Sequence, residues 1–421
     1  MNRVAALILV SALAACGSSS PSSRPAADAA PPTSVDAAPP TSVDAAPAPP
    51  VGTPASALAP ITPAAPAGHD FLPDAVALQA LALCHGDGEV PPLPAGVHAR
   101  HCARIAATQA RYVEAWLTPA TAFLAGVVPS DLPTTVVYPF AGGDLATALT
   151  AFPAATEITT LSLEPAGDPR TVAAGTPAER ARALGVIADE LHFLYVVNFS
   201  NTKNLIDAMR GGELPTQLTF SLSALALHHL ELVWVRYFRL GPDGEVVYLT
   251  DADVAAAPPV ATGDSAKRNR LFGDVELGFR RPGEPGVRIY RHLQANLDDA
   301  HQGADDRVLR HLAAKGRVAA MTKAAAYLLG WDSFSLIRGW LTAHAVWMIS
   351  DASGLPPPAA TAAGFVQEVW GQFVGAHMRA GRRSDRAWTA LFARAPKRAL
   401  PIRFGYRDRA GHPHLIVTRR P

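Results

Sequence analysis

Residues Thr134 to Glu164, TTVVYPFAGGDLATALTAFPAATEITTLSLE, decide the fold. Thr134 to Tyr138 is rich in β-branched and aromatic residues and suits a strand. Pro139 to Asp144 is a turn, Leu145 to Phe152 has the length of a short helix, and Glu157 to Leu163 is a second strand that ends at Glu164. Strand, loop, helix and strand in this order predict a parallel pair with a right-handed crossover. The expected class is α/β, a mixed sheet with flanking helices. Ligands of such sheets sit beyond the carboxyl ends of the strands, which gathers Tyr138, Gly142, Gly143, Asp144 and Glu164 as a candidate ligand or catalytic cluster.

The glycine-containing turn after strand one, with an acid about 20 positions later, resembles the nucleotide-binding start of a Rossmann-like fold, including that of the class I methyltransferases. The resemblance implies that Glu164 would hold ribose hydroxyls. The turn departs from it, however. Ala141-Gly142-Gly143-Asp144 is not G-x-G-x-x-G, and Asp144 would repel a phosphate, so no cofactor is expected. The plainer reading has Gly142 and Gly143 serving a tight turn, Asp144 capping the helix and Glu164 opening a surface loop.

Further along, Cys102 to Ala125 has helical spacing with a break at Pro119, and Pro177 to Asn198 and Thr216 to Leu230 read as helices. Leu232 to Leu240 and Glu245 to Leu249 read as a hairpin around Gly241-Pro242-Asp243-Gly244, and Val287 to Leu293 as a strand. His228, His229 and Glu231 match no metal motif, and no metal site is expected. Val318 to Leu329 and Phe334 to Ile349 read as two helices, the second apolar on nearly every face. Arg338 inside it needs a carboxylate, for which Asp351 is the candidate. Ser353 lacks a G-x-S-x-G elbow. Ile402 to Tyr406 and His414 to Thr418 read as a closing hairpin.

Tyr138-Pro139-Phe140-Ala141-Gly142-Gly143-Asp144, Leu163-Glu164-Pro165-Ala166-Gly167, Lys323 to Leu328 (KAAAYL), Phe334 to Arg338 (FSLIR) and Asp351 to Pro356 (DASGLP) together resemble a family of uncharacterised bacterial exported proteins and lipoproteins. The family brings no activity. It implies that the polar positions, Arg338, Asp351 and Ser353 included, form one cluster.

The N-terminus gives an address. Residues 1–15 carry Arg3, an apolar run from Val4 to Leu13 and small residues, the layout of a signal peptide. Leu13-Ala14-Ala15-Cys16 resembles a lipobox, which implies lipidation of Cys16 and, with Gly17 following, the outer membrane. From residue 16 to 68 the chain is dominated by Ala, Pro and Ser, has no aromatic and repeats DAAPPTSV at Asp28 and Asp36; it reads as a disordered tether. The globular region then runs from 69 to 421. Its two cysteines, Cys84 and Cys102, fit a disulfide in an oxidising compartment, with Cys84-His85 and His98-x-x-His101-Cys102 offering the alternative of a metal cluster.

A net charge of +1 over 421 residues excludes a bulk electrostatic role, and no nucleic-acid partner is expected. The charge is local: from His377 onward there are 12 Lys and Arg against 2 Asp and Glu. That end could pair with the acidic remainder or meet an anionic lipid or other envelope component. The expectation is a membrane-anchored envelope lipoprotein acting as a binding or structural module. The alternative is an envelope hydrolase or transferase with its site at the strand ends.

Overall fold

Thr135 to Pro139 and Glu157 to Ser162 form parallel strands, paired from Thr135 opposite Glu157 to Pro139 opposite Leu161, as their sequence predicts. The computed structural model describes residues 65–197, 214–260, 265–376 and 383–421. The signal segment, Cys16 and all but the end of the spacer lie outside the described residues. No helix among the described residues is long and apolar enough to cross a membrane.

The strands are β1 (Thr135–Pro139), β2 (Glu157–Ser162), β3 (Glu231–Leu240), β4 (Val246–Tyr248), β5 (Asp274–Arg280), β6 (Arg288–Gln294), β7 (Val318–Thr322), β8 (Ala345–Ser350), β9 (Val366–Gly371) and β10 (His414–Arg419). They make one sheet in the order β4-β3-β5-β6-β2-β1-β7-β8-β10-β9. The five central strands, β6 to β8, are parallel, and every pairing outside them is antiparallel. Taken in chain order, the parallel five run third, second, first, fourth, fifth, the arrangement of a doubly wound sheet. Its strand order reverses between β1 and β7.

Helices cover both faces. One face packs Val136, Tyr138, Ile158, Met321 and Ile349 against α1 (Val97–Tyr112), α2 (Leu145–Ala151), α3 (Pro177–His192) and α4 (Thr216–Leu227). The other packs Val137, Leu161, Ala320 and Met348 against Ile337, Trp340 and Leu341 of α5 (Ser335–His344). A central strand buried on both faces carries apolar residues at successive positions, so its sequence lacks the period of two.

That property explains the largest departure from the sequence reading. Val318 to Leu329 is not a helix but β7 followed by a 3-10 turn from Ala324 to Gly330. The apolar run Phe334 to Ile349 is α5 only as far as His344 and then β8. Both strands are short, apolar and covered on both faces, which makes them indistinguishable from buried helix by periodicity. The closing hairpin also fails. β10 pairs with β8 and β9, while residues 402 to 406 form no strand. Pro119 breaks nothing. A π-helical turn, Val113–Leu117, precedes it, and Pro119 sits in the first turn of the next helix, where its missing N–H costs little. The β3–β4 hairpin, β6 and α4 match the sequence reading closely.

Candidate functional site

The strand-one loop turns twice into the left-handed region, at Phe140 (φ 61°) and Gly142 (φ 53°). Gly143 is glycine for a packing reason. A Cβ there would stand 2.8 Å from the ring of Phe220 on α4. The space a Rossmann glycine leaves for a phosphate is thus filled by the protein's own helix, and the Gly142 carbonyl accepts a hydrogen bond from Gln217 Nε2 at 2.7 Å.

Asp144 precedes α2 but caps nothing. Its carboxylate points to the neighbouring strand, where Lys323, the first residue after β7, places Nζ 2.5 Å from Oδ2. The Tyr138 hydroxyl donates to Oδ2 at 3.2 Å and Thr147 Oγ1 to Oδ1 at 2.6 Å, while Lys323 Nζ also donates to Thr147 at 3.1 Å. Both charges are buried. Burial first, and the Asp144 charge second, hold the hydroxyls of Tyr138 and Tyr112 well above the usual phenol range. The pair occupies the switch point of the sheet, where a doubly wound protein ordinarily receives its ligand.

Asp351 follows β8 and is fully buried. Its Oδ2 accepts the backbone N–H groups of Ala324 (3.2 Å) and Tyr406 (2.8 Å), and its Oδ1 accepts the N–H of Ser353 (3.0 Å) and, more closely, its hydroxyl. A Cβ on Gly405 would collide with it. This carboxylate ties the β7 loop, the β8 loop and the C-terminal segment together. Ser353 donates to a saturated acid and has no basic partner among the described residues to activate it. Arg338 does not pair with Asp351. Its Nη1 donates to the carbonyls of Leu329 and Trp331, both at 2.8 Å, because α5 ends before β8 and sets the arginine beside the 3-10 turn.

Glu164 lies two residues past β2 and is 2% exposed, so it opens no surface loop. Its carbonyl accepts from Nε2 of His292 at 2.8 Å, and both of its carboxylate oxygens are buried without a hydrogen-bond partner among the described residues. A carbonyl only accepts, so Nε2 of His292 carries the proton and Nδ1 faces the Thr160 hydroxyl at 3.3 Å. Thr160 meets the Tyr290 hydroxyl at 2.8 Å, and Ser221 of α4 meets that hydroxyl at 3.2 Å. Gln217 Oε1 is a further buried acceptor without a partner.

Tyr138 and Asp144 share a hydrogen bond, Asp351 bonds Ser353 and also acts on Tyr138, Gly142 accepts from Gln217, and Arg338 bonds neither carboxylate. Sequence reading left Gln217, Tyr290 and His292 unmarked and quoted Lys323 only within the family resemblance, with no role of its own. The signal for Lys323 was present, a lysine directly after the short apolar run VAAMT, but a helical reading of that run hid it.

Elsewhere, Cys84 and Cys102 are disulfide-bonded with Cα atoms 5.5 Å apart. His228 bonds the Ala146 carbonyl and Glu231 pairs with Arg280. At the basic end, Arg398 and Arg419 both pair with Glu368, and Arg383 with Asp332. No family model, no curated protein and no solved structure matches the chain.

Lys323→Met should leave the Asp144 carboxylate buried without a cation and cost about 3–5 kcal/mol in denaturant unfolding; a loss below about 1 kcal/mol would show that the pair holds little. His292 supplies a pH test. Burial pulls its pKa from 6.5 down to about 4. Between those values the unfolded chain takes up a proton that the folded chain refuses, so stability present at neutral pH is lost as the pH falls. From pH 7 to 5 this one group removes about 2 kcal/mol. His292→Gln should lose correspondingly less stability over that interval, and an equal decrement in both proteins would refute the assignment.

Proposed function

We propose that this is a lipid-anchored envelope protein whose folded region binds a ligand rather than transforming one. The anchor rests on the signal layout and Cys16, and the spacer would hold the domain clear of the membrane. Several acyl chains on one cysteine bury enough methylenes for stable attachment without a membrane-crossing helix. The exposed Arg386, Arg394, Lys397, Arg407 and Arg409 suit an anionic lipid surface or envelope component.

One observation carries the choice of binding over catalysis. The groups an enzyme would use at these strand ends are already committed, Asp144 to Lys323 and Asp351 to four protein donors. From β6 to β9 the strands run 3-2-1-4-5-7-6 with the seventh reversed, and the space at Gly143 in the strand-one loop is taken by the ring of Phe220. Glu164 is a charged group with acceptor capacity to spare, beside the unpartnered Gln217 Oε1 and Ser162 Oγ. A buried carboxylate without partners is costly, and a ligand offering O–H or N–H donors would relieve that cost. The favoured ligand is a vicinal diol such as a sugar or nucleoside, with no reliance on phosphate.

Cys16→Ser should abolish incorporation of labelled fatty acid and release the protein from the membrane fraction; a labelled, membrane-bound variant would end the anchor reading. Calorimetric titration of the full chain with a panel of sugars and nucleosides should find a binder whose affinity falls roughly 10- to 100-fold in Glu164→Gln. Turnover of a bound compound that Asp351→Asn abolishes in a folded protein would instead establish an enzyme.

A further inference from the structure

The disulfide region contains a second arrangement of chemistry. A left-handed residue, Cys84 (φ 53°), ends the turn Gln79–Leu83 and brings its sulfur over α1. On α1, His98 and Cys102 are four residues apart and therefore share a face. Nε2 of His98 lies 3.5 Å from Sγ of Cys102 and 3.9 Å from Sγ of Cys84, and the three donor atoms lie within 4.8 Å of one another. Tetrahedral zinc with bonds of about 2.3 Å to sulfur and about 2.0 Å to nitrogen has sulfur–nitrogen edges of roughly 3.5 Å. The two histidine edges already approach that geometry. Only the sulfurs, now bonded to each other, must part. Cys84 is exposed, which leaves the fourth position to solvent. Of the other nearby histidines, His101 is buried with Nε2 on the Ala82 carbonyl at 2.8 Å and is not a ligand.

We propose that the reduced form of this chain is a metal site in which Cys84, His98 and Cys102 hold one zinc-class ion, so that the disulfide and the metal are alternative states of one locus. A dithiol reductant would attack the exposed Cys84–Cys102 bond, becoming a disulfide itself and leaving two protein thiols. The metal then replaces the two thiol protons, which pass to solvent. His98 gives its Nε2 lone pair, exchanging the Ala80 carbonyl, 3.1 Å away, for the metal while its ring proton moves to Nδ1. Two thiolates and an imidazole select zinc or copper(I) over magnesium or calcium.

The test reduces the full chain anaerobically and titrates it with zinc, using cobalt(II) for its visible tetrahedral bands and thiolate charge-transfer absorption. The expected result is one ion per reduced chain, none in the oxidised chain, and at least tenfold weaker binding in His98→Ala. If reduction alone loosens the fold, zinc should raise the melting temperature of the reduced protein and not that of Cys84→Ser/Cys102→Ser. Absence of binding to the reduced chain, equal binding by His98→Ala, or equal stabilisation of the double variant would each overturn the proposal.

Discussion

The Asp144–Lys323 ion pair is the constraint around which the centre of this protein is arranged. It joins the ends of β1 and β7, adjacent in the sheet and far apart in the chain, at the point where the strand order reverses. Either charge buried alone would cost several kcal/mol, so an arrangement that separated these two strands would be heavily penalised. The Tyr138 hydroxyl and Thr147 donate to further acceptor positions of the Asp144 carboxylate, so the charges at the switch point are buried and partnered within the protein. A location that doubly wound folds commonly leave open for a ligand is here part of the internal structure.

A second closure comes from the far end of the chain. Residues 402 to 406 lie over the strand ends. The indole of Trp116 donates to the Arg403 carbonyl, Lys323 sits over the ring of Phe404 with Nζ 5.7 Å from its centroid, and Gly405 leaves room for the Asp351 carboxylate. Asp351 thereby connects three loops through backbone donors, a use of a buried carboxylate that favours a fixed structure over chemistry. Unmatched polar atoms remain at the ends of β2 and β7, on Ser162 and Thr322, and on Glu164 and Gln217, which lie near the hydrogen-bonded Thr160, Tyr290 and His292.

How much was legible follows from which residues carry local signals. β1, α2 and β2 could be read because β-branched runs are punctuated by Pro139, the Gly142-Gly143 turn and Pro153. The β3–β4 hairpin was legible through its Pro-Asp-Gly turn. β7 and β8 were not, because strands covered on both faces keep no alternation, and Ala-rich stretches satisfy helical and extended templates alike. Misplacing those two strands also misplaced the groups that follow them. Lys323 disappeared into an imagined helix, and Arg338 was matched to Asp351, which takes its donors from Ala324, Ser353 and Tyr406 instead.

The sequence by itself determined the α/β class, the parallel opening unit and the list of acids at its strand ends, because these depend on turn chemistry and residue order within some 30 positions. Only the tertiary structure decided which acids are committed and which is left open. Asp144, Glu164 and Asp351 each come after a strand, yet Asp144 meets an ammonium group, Asp351 meets backbone donors and the Ser353 hydroxyl, and the Glu164 carboxylate has no hydrogen-bond partner among the described residues. That difference lies in pairings between residues remote in the chain, which no local pattern encodes.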